Sequence, residues 1–184
     1  LTASNKIFFS PIIQSSTQYG QCYQKNDPSN EYYFELLADD GGVVRILEIG
    51  TVVRLFAIRS SIVVFATNGV WLIGGSAGSS FRATDFTVKK LSSLGTTSPQ
   101  SIVDVKGIPV WWAEDGIYTM QYDPNYDSFQ IISLTQTTIK QFFLDIPVEN
   151  RKYVKGTYNP LEEIVYWIYN SNETFTSSDH FKFD

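Results

Sequence analysis

Few residues of this chain could carry out acid–base, nucleophilic or metal chemistry. His180 is the single histidine among 184 residues, and it stands in a polar stretch near the end of the sequence. A Ser-His-Asp triad and a His-rich metal site both need histidine beside other reactive groups, so the sequence predicts neither. Cys22 is the single cysteine and has no histidine near it in sequence. We expect it to be a small buried apolar residue that makes no internal disulfide.

The segment 123–127, Asp-Pro-Asn-Tyr-Asp, places oxygen-bearing side chains at its first, third and fifth positions, as calcium-binding loops do. It departs from that pattern at two later positions. Ser128 stands where the loop needs glycine, and Leu134 stands where it needs a bidentate glutamate. A solvated turn between two strands is therefore the preferred interpretation.

Three pairs of acidic residues, Asp39-Asp40, Glu114-Asp115 and Glu162-Glu163, stand at predicted turns. Acidic residues are common in turns, so these pairs do not indicate general acid–base catalysis. The glycine-rich segment 74–78 is not followed by Lys-Ser or Lys-Thr and does not open a helix, so it does not predict a phosphate-binding loop. We expect no catalytic, cofactor-binding or metal-binding residues, and therefore no enzymatic activity.

Four aromatic residues remain as candidates for an interaction surface: Trp71, Trp111, Trp112 and Tyr118. The adjacent indoles of Trp111 and Trp112 are a possible stacking platform for a sugar ring. Side chains alternate between the two faces of a strand, so we expect one of these rings to be buried and the other to be half exposed.

The composition favours an ordered, all-β protein. Apolar residues make up 43% of the chain, charged residues 18% and aromatic residues 15%, and β-branched and aromatic types dominate the apolar runs. The net charge of −5 does not predict a basic face for binding phosphates. No apolar stretch approaches the ~18–20 residues of a membrane span.

Two hairpin signals recur at a fixed interval. Asn68-Gly69 and Asp115-Gly116 each precede an apolar run, and their glycines are 116 − 69 = 47 residues apart. Glu163 follows after another 47 residues, again in a turn. Asn-Gly and Asp-Gly indicate hairpins because a type I′ turn needs positive φ at both central residues. Hairpins that return every ~40–50 residues are typical of β-propeller blades.

The repeat divides the chain into three parts. Residues 51–170 are predicted to form propeller-like blades of antiparallel strands, the first with strands at 52–58, 62–67, 70–73 and 86–88. The second unit runs from 101 to 132 and the third from 152 to 169, while 137–144 could form a turn or two of helix. Residues 1–50 are expected to be a strand and loop segment, either a linker or a partial blade, and 171–184 a polar tail outside the sheet. Three units are fewer than a closed propeller needs, so we expect an incomplete part of a larger chain.

Several motifs occur in an order and spacing that resemble a known family. They are Gln21-Cys22-Tyr23-Gln24, Asp27-Pro28-Ser29, Asp40-Gly41-Gly42-Val43-Val44, the segments 64–71 and 83–86, Trp111-Trp112 and Gly116-Ile117-Tyr118. Together they resemble virion proteins of short-tailed phages, of the tail nozzle or tail tubular protein B kind. The resemblance covers about three quarters of the chain.

The resemblance implies a homo-oligomeric ring at the tip of a phage tail, with a propeller-like domain around or beside the DNA channel. It also implies adaptor, fibre and plug proteins as partners, and DNA that passes without sequence-specific binding. We therefore predict a structural virion protein that acts in genome ejection. An acidic lumen would repel the DNA phosphates, so we expect acidic side chains to outnumber basic ones on a channel-facing surface. The alternative is a carbohydrate-binding β-propeller that recognises host-surface glycans through exposed aromatic residues.

Overall fold

The computed structural model describes residues 2–3, 5–19, 37–76, 79–125, 128–136, 140–170 and 179–183. These residues form a mostly β structure with four antiparallel sheets, as the composition predicts. Cys22, the motifs at 21–24 and 27–29, and residues 126–127 of the calcium-like turn lie outside the described residues, as does the side chain of His180.

Each sheet is a meander in which strands adjacent in sequence pair with one another. Sheet I contains β1 (Thr2–Ala3), β2 (Lys6–Phe9) and β3 (Gly42–Arg45). Sheet II contains β4 (Val52–Ile58), β5 (Ser61–Ala66), β6 (Gly69–Gly74) and β7 (Thr87–Ser92). Sheet III contains β8 (Val103–Val105), β9 (Ile108–Trp112), β10 (Ile117–Asp123) and β11 (Ser128–Ser133). Sheet IV contains β12 (Lys155–Asn159), β13 (Ile164–Tyr169) and β14 (Asp179–Phe183).

Short helical segments lie in the connections between sheets. Helices α1 (Lys140–Leu144) and α2 (Val148–Arg151) stand between sheets III and IV, and a 3-10 turn at Pro99–Ser101 stands between sheets II and III. A second 3-10 turn, Ser16–Gln18, follows β2. Helix α1 falls inside the segment for which the sequence allows a helical turn, whereas α2 was not predicted.

Three strands predicted for sheet II, β4 to β6, are confirmed to within one residue, and β7 begins one residue later than predicted and ends at Ser92. Sheet III spans 103–133, where the second unit was expected at 101–132. The C-terminal prediction is wrong in one respect. Residues 171–184 were expected to leave the sheet, but Asp179–Phe183 pairs with Ile164–Tyr169 as the third strand of sheet IV. A polar composition does not prevent this pairing. An edge strand is held by main-chain hydrogen bonds, and it needs apolar residues only at the alternate positions that face the core.

The type I′ prediction is wrong at both dipeptides. Asn68 has no positive φ, and neither does Asp115 or Gly116. Gly69 is required because a Cβ there would lie 2.5 Å from the carbonyl oxygen of Ser92 on β7. The hairpin signal thus finds the right place in the chain for a different physical reason.

Positive φ at both central residues occurs instead in the loop between β8 and β9. Lys106 has φ 53° and Gly107 has φ 84°, the backbone signs of a type I′ turn. Arg59, which is 106 − 59 = 47 residues earlier, has φ 49° in the corresponding loop between β4 and β5. The 47-residue repeat is therefore present in the backbone conformation of successive sheets.

The four sheets pack face to face in chain order, and we call this arrangement the sheet stack. Three apolar clusters fill the spaces between successive sheets. Ile7, Val44 and Trp71 are buried between sheets I and II, and Phe65 and Tyr118 between sheets II and III. The cluster between sheets III and IV also contains residues of the helical segment, and its members include Trp112, Phe143, Ile146, Val165 and Trp167.

Sheets II and III are covered on both faces. On β5, Val63 and Phe65 contribute to one cluster while Val64 and Ala66 contribute to the other. On β9, Trp111 and Trp112 enter opposite clusters and are 0% and 2% exposed. The expectation that one of these indoles would stay half exposed was therefore wrong, because neighbouring sheets cover both faces of sheet III.

The substitution Trp112→Ala tests whether the stability of the protein depends on the packing of sheet III against sheet IV and the helical segment. The indole centroid lies 4.5 Å from that of Phe143 and 6.2 Å from that of Trp167, so Trp112→Ala removes packing on both the helical segment and sheet IV. We expect the free energy of unfolding in urea to fall by about 3–5 kcal/mol.

The matched control is Leu161→Ala, since Leu161 is 94% exposed in the turn before β13. It is expected to change the free energy of unfolding by no more than about 0.5 kcal/mol. A Trp112→Ala protein as stable as the control would contradict the two-sided packing of sheet III.

Candidate functional site

The four aromatic residues proposed for interaction are packing residues in the structure. Trp71, Trp111, Trp112 and Tyr118 are all buried, between sheets I and II, II and III, III and IV, and II and III respectively. Trp111 lies 5.0 Å from Phe65 and 6.1 Å from Tyr118, measured between ring centroids. None of the four indole or phenol rings is open for stacking on a sugar in this arrangement.

A groove of about 690 Å³ is the candidate site that the fold assembles. It lies where the first strands of sheets II, III and IV approach one another. Arg54 of β4, Asp104 of β8 and the consecutive residues 155–158 of β12 line it, together with Gln100, Ile102, Val103 and Pro160. Its surface thus combines two basic side chains, one carboxylate and the edge of a strand.

Arg54 is held in place by main-chain acceptors of the next sheet. Its Nη1 atom donates hydrogen bonds to the carbonyl oxygens of Pro99, at 3.2 Å, and Ile102, at 2.6 Å. These carbonyls belong to the 3-10 turn that precedes β8, where unpaired acceptors favour a cation. Arg54 therefore joins sheet II to sheet III and brings a fixed positive charge to the groove.

Buried hydroxyl groups of the segment between sheets II and III bond to sheet III and to the residue before β12. Thr96 Oγ1 donates to the carbonyl oxygen of Trp112 at 2.8 Å, and Ser98 Oγ donates to that of Val154 at 2.5 Å. Ser101 Oγ donates to the carbonyl oxygen of Ser98 at 2.8 Å. Each hydroxyl is used to satisfy a buried acceptor, so the arrangement is that of a structural connection rather than of an activated nucleophile.

Basic residues in equivalent turns reach from one sheet to the next. The guanidinium carbon of Arg59 lies 3.9 Å from the ring centroid of Tyr122, and Lys106 Nζ lies 2.5 Å from Glu163 Oε1. The hydrogen bond and the charge of the partner raise the pKa of Lys106 and lower the pKa of Glu163. Both charged groups are exposed, so the ion pair orients the turns more than it stabilises the protein.

In the calcium-like turn, both carboxylate oxygens of the first acidic residue, Asp123, accept hydrogen bonds from the protein itself. Asp123 Oδ1 accepts a hydrogen bond from the main-chain N–H of Asn125 at 2.9 Å, and Asp123 Oδ2 accepts one from Gln130 Nε2 at 3.0 Å. This is the side-chain-to-backbone bonding of an ordinary Asx turn. Among the residues that the structure describes, no group of three or more His, Cys, Asp or Glu side chains could hold a metal ion.

Two further observations bear on the kind of protein. Within the described ranges, no helix is long and apolar enough to cross a membrane. No protein-family model and no curated protein matches the chain.

Sequence reasoning missed the groove, although it left a signal. Each of the three strands that line it contains one charged residue among apolar or small ones: Arg54, Asp104 and Lys155. A lone charge within such a strand indicates an exposed position. The sequence pattern does not show that these three positions lie close together, because the strands are distant in sequence.

The phenol of Tyr118 provides a pH test of the packing between sheets II and III. Burial raises the pKa of Tyr118 to about 12, and the hydrogen bond from its hydroxyl to Asp115 Oδ1, at 2.9 Å, acts in the same direction. The folded state therefore favours the neutral phenol. Its contribution to stability is complete below pH 10, where the unfolded phenol titrates, and is lost as the pH rises towards 12.

We expect the free energy of unfolding of the native protein to fall relative to that of Tyr118→Phe by about 1 kcal/mol between pH 9 and pH 11. Urea titrations of both proteins across this range measure the difference. Parallel pH profiles would show that the phenol titrates in the folded state as it does in the unfolded chain.

Proposed function

We propose that this chain is a structural virion protein, part of a short-tailed phage tail nozzle that forms or surrounds the channel through which DNA leaves. In this proposal sheets I–IV are successive blades of a β-propeller, and several copies of the protein form a ring. The protein acts through its interfaces and not through catalysis.

The observation that carries the proposal is the sheet stack. Four antiparallel meanders follow one another in chain order, and an apolar cluster separates each from the next. A propeller is built from repeated meanders that pack in this way around a central axis. No closed barrel or closed propeller is present among the described residues, so closure into a ring of blades stays a prediction.

The resemblance to tail nozzle proteins supplies the second support, and part of it falls on residues with structural roles. Segment 64–71 contains the hairpin between β5 and β6 that ends on Gly69. Trp111-Trp112 and Ile117-Tyr118 lie on β9 and β10, and their side chains are buried on the two faces of sheet III. These shared motifs on described residues form hairpins and buried packing positions, which agrees with an architectural role.

The acidic lumen stays a prediction, because no closed barrel or propeller is present among the described residues. Arg54 and Lys155 are basic and Asp104 is acidic, so basic side chains outnumber acidic ones in the groove. We do not include like-charge repulsion of DNA in the proposal. The carbohydrate-binding alternative also lacks support, because the four aromatic residues chosen as its platforms are buried.

Immunogold electron microscopy of the virions tests the proposal. Antibodies raised against the 184-residue chain are expected to label the tip of a short tail, because a nozzle ring presents its outer surface there. The same antibodies after adsorption with the purified chain are the control. Label on the capsid alone, or particles that carry none of the chain, would refute the tail assignment.

A further inference from the structure

Among the residues that the structure describes, sheet IV has no counterpart of the strand that comes first in sheets II and III. By the 47-residue repeat β5, β9 and β12 are equivalent, since they begin at 61, 61 + 47 = 108 and 108 + 47 = 155. β5 pairs with β4 on its outer side, and β9 pairs with β8. β12 is the edge strand of its sheet, with β13 on one side.

The chain segment that would supply the absent strand forms a helix instead. Residues 52–58 of β4 shifted by two repeats, 2 × 47 = 94, give 146–152, and this segment contains helix α2. Arg151 of α2 donates hydrogen bonds to the carbonyl oxygens of Phe143, at 3.0 Å, Ile146, at 2.8 Å, and Glu114, at 2.7 Å. The segment is thus held away from a strand conformation and cannot pair with β12.

The groove lies beside β12, and β8 with the 3-10 turn before it borders the groove on the other side. Four consecutive residues, 155–158, line it. Consecutive strand residues point to opposite faces of a sheet, so a cavity that meets four in a row approaches the strand from its edge. Every second residue of an edge strand directs its N–H and C=O away from its partner, which for β12 is the side opposite β13. In the described part of the chain, β12 pairs with β13 alone.

We propose that the groove binds an extended strand of a partner polypeptide, which pairs with β12 and completes sheet IV. Main-chain hydrogen bonds give such strand addition its affinity, and side-chain pockets give it specificity. The vacancy is read from the repeat and holds whether or not the chain belongs to a phage tail.

The groove also specifies the chemistry of the strand. The two basic residues Arg54 and Lys155 outnumber the acidic Asp104, so the charged side chains of the groove have a net positive charge. We therefore expect the strand to carry a carboxylate. Of the strands in the equivalent place, β4 carries the basic Arg54 and β8 carries the acidic Asp104 in the sequence Val-Asp-Val, and the excess of basic side chains in the groove favours a strand like β8. The partner strand is accordingly one in which β-branched residues flank an acidic residue, since such residues suit a pleated, half-buried position.

Hydrogen exchange measured by NMR on the full chain tests the proposal. The probe is a peptide with the sequence of residues 101–107, Ser-Ile-Val-Asp-Val-Lys-Gly, at about 1 mM, where a complex with a Kd near 1 mM is already half formed. We expect the exchange of alternate main-chain amides in 155–159 to slow by one plus the ratio of the peptide concentration to Kd, a factor of about two at a Kd of about 1 mM and larger for tighter binding. A peptide with proline at both valine positions lacks the donors and is expected to leave exchange unchanged.

Unchanged exchange in 155–159 at this peptide concentration, or slowing confined to other strands, would overturn the proposal. Self-association of the protein that the peptide competes away, measured by analytical ultracentrifugation, would assign the groove to a second copy and overturn the partner assignment.

A charge-reversal pair tests the chemistry of the strand. Lys155→Glu is expected to weaken peptide binding about threefold to fivefold, because it removes a cation beside the peptide carboxylate. The control is Lys140→Glu on α1, which makes the same charge change at an exposed position that does not line the groove. Equal binding by the two variants would refute the acidic-strand assignment.

Discussion

The structure depends on the burial of both faces of its middle sheets. Adjacent apolar residues in one strand point to opposite sides, so the Trp111-Trp112 pair can leave water only if sheet III has a neighbour on each side. A tryptophan buries ~150–250 Å², which corresponds to about 4–6 kcal/mol of transfer free energy for each indole. Sheet III is therefore not an independent unit. Its two indoles couple the packing of sheet II on one side to that of sheet IV on the other.

Polar groups set the relative position of sheets that apolar packing alone would leave free to slide. The hydrogen bond from Trp167 Nε1 to the carbonyl oxygen of Ser101, at 2.9 Å, joins sheet IV to the 3-10 turn before sheet III. Ser98 and Arg54 make directional bonds of the same kind across the two boundaries. Not every buried polar group is hydrogen-bonded: among the described residues, the indole N–H of Trp111 is a buried donor without a hydrogen-bond partner. Leaving that donor unpaired costs about 1–3 kcal/mol, which the packing of the ring offsets.

The groove follows from the same repeat that builds the stack. Sheets II and III each begin with a strand that carries one exposed charge, Arg54 or Asp104, and sheet IV begins one strand later. The change from strand to helix at α2 leaves the edge of β12 facing those charges. In our proposal, an interaction surface thus results from one irregularity in a regular series.

Much of the strand pattern was determined by the sequence itself. Alternation and β-branched composition placed β4, β5 and β6 to within a residue or two, because these signals act on the chain locally. The period of 47 residues likewise lay in the sequence, and the structure repeats it at Arg59 and Lys106. The absence of a catalytic set among the acidic turn residues also remained an inference from residue types alone.

Tertiary structure decided which faces and edges are covered. It buried both Trp111 and Trp112, paired the polar strand Asp179–Phe183 with β13, and brought Arg54, Asp104 and Lys155 to one groove. Local sequence cannot encode these outcomes, because each depends on residues from a different sheet. The residue pattern of a strand predicts which of its side chains are buried. Which neighbouring sheet buries them depends on the packing of the whole chain.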